Sequence, residues 1–430
     1  MKESTRGIPR SLEQDGRDDE IAAGLSDPGA VLERILDAER RGALYPYYRR
    51  LRELAPIHRS EVEGLPPGTW FLTRAEDVNA VARSAGAVND PRTAQVWDYE
   101  GDGSGAFYRM MSRAMLFLDK SDHDRVRRLV YKAFTPASVA PLGDLTARVA
   151  GELLDAVGDR DEIDFVRDFT YPLPLRAIMR LLGIPRDAEG TIERYAWDFA
   201  RAGDPMSATS EIIERGNRAA EGLDAFFGEV FDLRERAPAD DLVTALVHAQ
   251  ADGNRLGRDE TIATLVLLLQ AGHETTSDLL GNALIGLFQH PQALSRLAKN
   301  PDLVVPATAE LLRYDTSVQI SMRLARAPIE LGKTQIPAGS LIALCYGAAN
   351  RDPALHAEPD RLDLDRNPSH LSFSAGAYYC LGNALARTEI QAALGVLFRR
   401  APGIRPASEG FVERWTSRLR GPLELPVSLG

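Results

Sequence analysis

The chain has 430 residues, 44% of them hydrophobic and 26% charged, and its formal net charge at pH 7 is −11. This is the composition of an ordinary globular protein with enough apolar surface for a large core. The acidic balance argues against a nucleic-acid partner. Two cysteines in so long a chain exclude a disulfide framework and fit a reducing compartment.

The sequence contains no run near the roughly 18 apolar residues that span a bilayer, so we predict no membrane association. Residues 1–20 are polar and mixed in charge, without the apolar stretch of a signal peptide or the pattern of a transit peptide. We therefore predict a cytoplasmic protein with a flexible N-terminal tail over residues 1–20 and a single domain over residues 21–430.

Apolar periodicity predicts a mainly α-helical protein with a minor β-sheet. Helical spacing covers residues 31–51, 142–157, 211–234, 260–288 and 382–399. Short β-prone runs cover residues 69–73, 329–331, 340–346 and 423–427. A long irregular stretch between residues 88 and 111 carries Trp97 and three other aromatic residues. Such loops tend to be functional, although the aromatic side chains could instead fold into the core.

The segment around residue 123 has two cationic faces at helical spacing. His123 and Arg127 are four residues apart and share one face. The cationic residues of the roughly opposite face are Arg125, Arg128 and Lys132. An ordinary amphipathic surface helix is the alternative, because runs of charge are usually solvated.

Residues 264–280 read as a long apolar helix that contains Gly272, although glycine costs about 1 kcal/mol relative to alanine inside a helix. Ala271 and Thr275 share a face that leucines extend into an apolar wall with one hydroxyl. Small residues at 271 and 272 leave room beside a cofactor, Thr275 can hold dioxygen or water, and Glu274 can relay protons. Alternatively, the two adjacent threonines bond back to helix carbonyls and bend the helix.

The strongest local signal is the spacing of Phe373, Gly376, Cys380 and Gly382, just ahead of a helical segment. A helix N-terminus exposes unpaired N–H groups and a partial positive charge, which lower a thiol pKa and favour an anionic ligand. Glycines at 376 and 382 let the backbone turn tightly and approach a flat ligand. A buried structural cysteine is the alternative.

The pattern Phe-x-x-Gly-x-x-x-Cys-x-Gly resembles the haem-thiolate signature of the cytochrome P450 family, in which the cysteine is the axial iron ligand. Glu274 and Thr275, about 105 residues before Cys380, resemble the acid–alcohol pair that delivers protons in that family. The resemblance spans about residues 28–428. It implies a single-domain triangular fold with haem between the long oxygen-handling helix and the Cys-ligand loop.

The same resemblance implies roles for other residues. His123, Arg127 and Arg323 would bind the haem propionates through charge-assisted hydrogen bonds. Glu310 and Arg313 resemble a structural pair behind the haem that joins a network with a later basic residue, although an exposed pair at i, i+3 would contribute only about 0.3–0.5 kcal/mol. The remaining predicted haem contacts are Ala271, Gly272, Phe373, Gly376 and Gly382, and the predicted substrate-pocket residues are Trp97, Leu267, Leu268, Val318, Gln319 and Ile320.

Three positions depart from the family pattern. Tyr378 stands where the family usually has a histidine or arginine that reaches a propionate, and a phenol brings no positive charge. Ser374 replaces a usual glycine, and Ser121 replaces a frequent proline. We therefore expect the propionate contacts to depend on His123, Arg127 and Arg323.

The resemblance predicts a monooxygenase with haem b (iron protoporphyrin IX) that hydroxylates or epoxidises a largely apolar small molecule with O₂, by analogy in secondary metabolism. Its two electrons would come from a ferredoxin or similar protein with its reductase, and the face with Arg125, Arg128 and Lys132 is a candidate docking patch. The same haem chemistry diverted to oxidative coupling or desaturation is one alternative. A haem-binding sensor or carrier is another, which the pair Glu274–Thr275 disfavours because a carrier needs no proton delivery.

Overall fold

A long central helix, Arg258–Phe288, organises the fold. Its first turn is stabilised because the Glu260 side chain accepts a hydrogen bond from the Gly257 N–H (2.8 Å), and Asp259 adds favourable negative charge there. The helix continues unbroken through Gly272, and most of its length is buried in the largest apolar core. The computed structural model describes residues 7–12, 16–37, 43–62, 66–89, 98–133, 136–204, 208–251, 254–414, 416 and 418–430.

The other helices surround this central one, which is α12 in chain order. The helices before it are α1 (Arg17–Gly24), α2 (Pro28–Leu36), α3 (Leu44–Leu54), α4 (Ala75–Arg83), α5 (Ala106–Arg113), α6 (Lys120–Ala133), α7 (Pro136–Val157), α8 (Pro172–Leu181), α9 (Glu189–Ala202), α10 (Ser210–Arg236) and α11 (Leu242–Val247). The helices after it are α13 (Pro291–Lys299), α14 (Val304–Tyr314), α15 (Tyr346–Asn350) and α16 (Asn383–Arg400). Helices α8, α10 and α16 pack on α12, and α16 also packs along α7. Among the described residues, no helix combines the length and apolarity needed to cross a membrane.

Short strands form small sheets beside the helices. The strands are β1 (Gly7–Ser11), β2 (Ile57–Arg59), β3 (Trp70–Leu72), β4 (Ala87–Val88), β5 (Glu162–Asp164), β6 (Gln250–Ala251), β7 (Asn254–Arg255), β8 (Ile320–Ala325), β9 (Ile329–Leu331), β10 (Thr334–Ile336), β11 (Leu341–Cys345), β12 (Arg405–Pro406), β13 (Gly410–Arg414), β14 (Pro422–Glu424) and β15 (Pro426–Ser428). One sheet has the order β2-β3-β11-β8-β4, in which only β3 and β11 are parallel. Two three-stranded sheets have the orders β1-β13-β14 and β12-β15-β5, and β9–β10 and β6–β7 are hairpins.

The helix predictions agree with the structure where the apolar periodicity is strong, in α7, α10, α12 and α16. The single helix predicted over 31–51 is instead divided between α2 and α3. The strand predicted over 423–427 was also wrong, because β14 and β15 belong to different sheets. The chain changes sheets at Leu425, whose N–H donates to Asp164 (3.1 Å) and whose carbonyl accepts from Phe165 (2.9 Å).

Part of the predicted N-terminal tail is folded. Strand β1 pairs antiparallel with β13, with Gly7 opposite Arg414. Arg10 Nε also donates to the Glu413 carboxylate (2.8 Å), which lies 403 residues further along the chain. A polar five-residue strand carries no periodicity signal, and its pairing depends on a partner that local sequence cannot show.

Candidate functional site

One large cavity of about 950 Å³ lies between α12, the loop before α16 and the C-terminal strands. Its size falls at the upper end of typical small-molecule sites. Most of its wall is apolar, and the larger apolar side chains include Phe107, Met110, Met115, Phe199, Leu267 and Leu268. The cavity therefore suits a sizeable, mainly apolar ligand.

Cys380 lies on the wall of this cavity, in a tightly closed loop. Its N–H donates to the Phe373 carbonyl (2.9 Å). Gly376 adopts φ +68°, and a Cβ there would lie 2.4 Å from the Ala82 carbonyl oxygen, so the loop requires glycine at this position. At Gly382 a Cβ would meet no atom within 4 Å. The two glycines thus differ: one is required by packing and the other leaves open space beside the thiol.

Burial dominates the electrostatics of the thiol. It raises the pKa of Cys380, while a hydrogen bond from the Gly382 backbone and the nearby charge of Arg127 oppose that rise. The lowering of the pKa expected from the start of α16 is therefore outweighed in the protein alone. A bound metal cation reverses this balance, because a coordinated thiol is deprotonated.

His123 and Arg127 both face the cavity from α6, as their spacing predicts. His123 is 1% exposed, its Nδ1 lies 3.1 Å from Asp124, and burial lowers its pKa. Arg127 donates from Nη2 to the Tyr379 carbonyl (2.6 Å), which ties α6 to the cysteine loop. On the other face of α6, Arg125 is paired with Asp122 and with Glu260 of α12, whereas Arg128 is exposed. Lys132 has its side chain outside the described part of the chain.

Arg323, Tyr378 and Ser374 form a compact cluster beside His123. The Tyr378 ring lies 4.5 Å from the His123 ring, and the Arg323 guanidinium lies 4.8 Å from the centre of the Tyr378 ring. Arg323 donates to Ser374 Oγ (3.2 Å) and to Asn89 Oδ1 (3.0 Å). Among the described residues, the buried Tyr378 hydroxyl and Arg323 Nε have no hydrogen-bond partner. Both residues line the cavity, although these two atoms are themselves buried.

The polar residues predicted on α12 lie along the cavity. Thr275 donates its hydroxyl to the Ala271 carbonyl (2.7 Å), the back-bonded arrangement that was the alternative for this motif. Gly272 also lines the cavity, although a Cβ on it would point to Ile178 at 3.4 Å. Glu274 forms an ion pair with Arg414 of β13, which also lies 3.2 Å from Asp278.

Glu389 is a further cavity residue that the sequence did not suggest. It lies on α16, is 1% exposed, and accepts a hydrogen bond from Thr276 (3.3 Å). Burial raises the pKa of its carboxyl to about 8, so it is mostly protonated at neutral pH. The local sequence pattern does not show which charged side chains face inward. For this reason the sequence analysis missed Glu389 and also three arginines that line the cavity, Arg201, Arg414 and Arg418.

Glu310 and Arg313 form a fully buried, bidentate ion pair, with distances of 2.6 and 2.8 Å. Arg366 lies 3.2 Å from the same carboxylate and is the later basic residue of the network. The carboxylate also accepts from the Asp363 N–H (2.9 Å). Such a desolvated and fully bonded pair holds α14 to the segment before the cysteine loop.

Four of the six predicted substrate-pocket residues line the cavity. Leu267, Leu268, Val318 and Ile320 line the cavity. Gln319 lies between two of them but does not line it, because its amide donates to the Thr316 carbonyl (2.6 Å). That prediction was wrong, since neighbouring residues here point in opposite directions. Trp97 lies outside the described residues.

Comparisons with known proteins agree with this architecture. The sequence profile of the cytochrome P450 family matches residues 209–400. The biotin biosynthesis cytochrome P450 of Bacillus subtilis is 32% identical over 386 residues, covering 89% of this chain and 95% of that protein.

Two solved structures show the same fold over nearly the whole chain. The structure of P450BioI in complex with an acyl carrier protein that carries hexadec-9Z-enoic acid has a TM-score of 0.82 at 32% identity, covering 89% of this chain and 97% of that chain. The cytochrome P450 PksS of the bacillaene polyketide synthase of Bacillus subtilis has a TM-score of 0.81 at 32% identity, covering 90% and 96%. The chain therefore belongs to the cytochrome P450 family of haem-thiolate monooxygenases.

Proposed function

We propose that this protein binds haem b in the cavity beside Cys380 and inserts one oxygen atom from O₂ into a largely apolar small molecule. The observation that supports this most strongly is the common cavity. The thiol of Cys380, the pair Glu274–Thr275 and a mainly apolar volume of about 950 Å³ all meet there.

The residues present fit haem on three independent grounds. Open space next to Gly382 admits a flat group close to the thiol. Tyr378 and Arg323, both on the cavity wall, carry O–H and N–H donors of the kind that bind the acceptor oxygens of propionates. His123 and Arg127 add two more cationic or donor groups on the adjacent helix.

Each group then has a defined task. Cys380 would bind the iron, and His123, Arg127 and Arg323 would hold the propionates, with the Tyr378 hydroxyl as a neutral fourth donor. When bound, haem supplies the activation of O₂ and the transfer of one oxygen atom. The protein excludes water with its apolar wall, holds an exchangeable proton on the Thr275 hydroxyl, and offers the Glu274 carboxylate as a group that can take up a proton and return it.

The substrate would be an extended or polycyclic apolar molecule of the kind made in secondary metabolism. The apolar wall and the cavity volume support this, and so does the likeness to a P450 of a polyketide synthase. The arginines at residues 201 and 418, on the same wall, would face any acidic group of the substrate.

Electrons would come from an acidic ferredoxin or a similar protein. The docking patch predicted on α6 is smaller than expected, because Arg125 is engaged by two carboxylates, and Arg128 is its exposed cation. Reduction should therefore slow with rising salt and in Arg128→Glu. Reduction that is insensitive to both would exclude this face.

The absorption spectrum of the reduced, carbon monoxide-bound protein tests the assignment. We expect a Soret band at the position of thiolate ligation, lost in Cys380→Ser. Cys345, the other cysteine, is fully buried in β11 and provides the matched control, so Cys345→Ala should keep the band. A band that survives Cys380→Ser, or is missing from the parent protein, would refute the proposal. Spin-state shifts would then identify substrates.

A further inference from the structure

Arg414 bridges two carboxyl groups of α12 that are one helical turn apart. One guanidinium nitrogen is paired with Glu274, and the other lies 3.2 Å from Asp278. Glu274 and Arg414 are each 15% exposed at the cavity, whereas Asp278 is 1% exposed. The acid of the acid–alcohol pair is therefore held by a residue that lies 140 positions away, on a different element.

The hairpin that carries Arg414 is fixed against α12 by two close backbone approaches. A Cβ on Gly421 would lie 2.3 Å from the Asp278 carboxyl, and a Cβ on Gly281 would lie 2.4 Å from Pro422. The Arg414 N–H donates to the Gly421 carbonyl (3.0 Å). Because neither contact leaves room for a side chain, the backbone of β14 lies directly against α12, and Arg414 reaches the helix from the neighbouring strand.

Charge balance shows which carboxyl is paired as an anion. Burial raises the pKa of Asp278 well above its usual range, and among the described residues neither of its oxygens accepts an aligned hydrogen bond. Burial lowers the pKa of Arg414 to about 10, which keeps it cationic at neutral pH. The ion pair therefore forms with Glu274, whose carboxylate contacts the guanidinium, while Asp278 is the more deeply buried partner.

Within the described part of the chain, the groups in electrostatic range of Arg414 do not supply another anion at neutral pH. Tyr171 and His273 lie within electrostatic range of Arg414, as does the cation Arg201 of α9. Burial raises the pKa of the Tyr171 phenol and lowers that of His273 to about 3, so both are neutral. Arg414 is then the cation in contact with Glu274.

We propose that Arg414 is a positioning residue for catalysis, which holds Glu274 ionised and aimed at the cavity beside Thr275. The inference deepens the proposed monooxygenase function and depends on it. Asp278 anchors the guanidinium and stays protonated. Glu274 is then a proton acceptor at rest, able to take a proton from water and return it.

Two variants separate the charge of Arg414 from its geometry. Arg414→Gln removes the cation, and Arg414→Lys keeps a cation but loses the planar fork that bonds two carboxyls at once. Arg405→Gln, on the exposed strand β12, is the matched control and should behave as the parent. The parent holoenzyme and these three variants are each prepared with Glu274 intact and with the additional substitution Glu274→Gln.

The first measurement needs neither substrate nor turnover. The infrared carboxyl band of Glu274, identified by subtracting the Glu274→Gln spectrum, is followed from low to high pH. Removing an opposite charge at contact distance should move the midpoint of this band upward by about one to three pH units in Arg414→Gln. In Arg414→Lys the midpoint should stay close to that of the parent.

The second measurement is O₂ consumption by the ferredoxin-reduced holoenzyme, with O₂ itself as the probe. We expect both arginine variants to slow it about ten- to hundredfold, because a misplaced group loses most of its contribution. Since the effect acts through Glu274, neither variant should slow the Glu274→Gln enzyme further. An unchanged midpoint in Arg414→Gln, or an equal slowing in both backgrounds, would overturn the proposal.

If Arg414→Gln does not fold, the test depends on Arg414→Lys alone. The proposal is then overturned if Arg414→Lys leaves O₂ consumption unchanged, or if it slows O₂ consumption in the Glu274→Gln enzyme as well. Failure of the monooxygenase assignment would be seen separately, as a missing thiolate band in the parent protein.

Discussion

The buried carboxyl of Glu389 makes the stability of this protein fall as the pH rises. Its pKa is about 8 in the folded protein against 4.5 for an unperturbed glutamate. The folded state therefore keeps a proton that the unfolded chain loses near pH 4.5, so this contribution is fully present below pH 4.5 and is lost as the pH rises through about 8. At about 1.4 kcal/mol per pH unit, the loss is about 3–4 kcal/mol between pH 5 and pH 8.

Glu389→Gln removes this titration while an amide oxygen can still accept the hydrogen bond from Thr276. The free energy of unfolding of the parent should fall by about 3–4 kcal/mol relative to the variant between pH 5 and pH 8. With about 2.1 cal/mol/K per residue over the chain, this is roughly 4 °C in Tm.

Guanidinium unfolding at four pH values measures the difference. Glu214→Gln, at an exposed position of α10, is the control whose curve should run parallel to that of the parent. If the curves of Glu389→Gln and the parent are also parallel, Glu389 is ionised in the folded protein and the reasoning fails.

Three further predictions concern the haem site and its support. In Tyr378→His, haem should dissociate no faster than from the parent, because an imidazole adds a cationic donor beside Arg323; faster loss would contradict this. Gly376→Ala should destabilise the apoprotein by at least about 2 kcal/mol in denaturant, whereas Gly382→Ala should spare its stability and weaken haem uptake in a titration. Glu310→Gln should lower the free energy of unfolding by about 3–5 kcal/mol, because it breaks a buried ion pair. Glu53→Gln, which breaks the more exposed i, i+3 pair with Arg50, should lower it by less than about 0.5 kcal/mol. Equal losses in the two variants would refute the role given to burial.

The sequence predicted those parts of the fold and site whose signals are local. Helix α12 and the start of α16 follow from apolar periodicity, and the spacing around Cys380 locates the loop that reaches the cavity. His123 and Arg127 share a face because four residues make about one helical turn. In each case the information lies within a few residues of the feature it predicts.

The parts that were missed depend on partners distant in sequence. The bond of Arg414 to Glu274 joins a strand to a helix, and the pairing of β1 with β13 joins the two ends of the chain. The burial of Glu389 is equally invisible, because a glutamate on a helix is usually solvated. Gln319 was misplaced for a different, local reason: its amide donates to the Thr316 carbonyl, three residues earlier, and its side chain does not line the cavity.

Two of the three departures from the family pattern, Ser374 and Tyr378, are neighbours in one cluster. Ser374 adopts φ +62°, a conformation that favours glycine, and its hydroxyl lies 3.2 Å from Arg323 and 2.7 Å from the Tyr346 hydroxyl. Those hydrogen bonds offset a strain of about 1–2 kcal/mol. They also fix the guanidinium over the Tyr378 ring, 4.8 Å from its centre. The two substitutions are therefore linked. Ser374 anchors Arg323 by a hydrogen bond, and Arg323 supplies a positive charge next to the uncharged Tyr378.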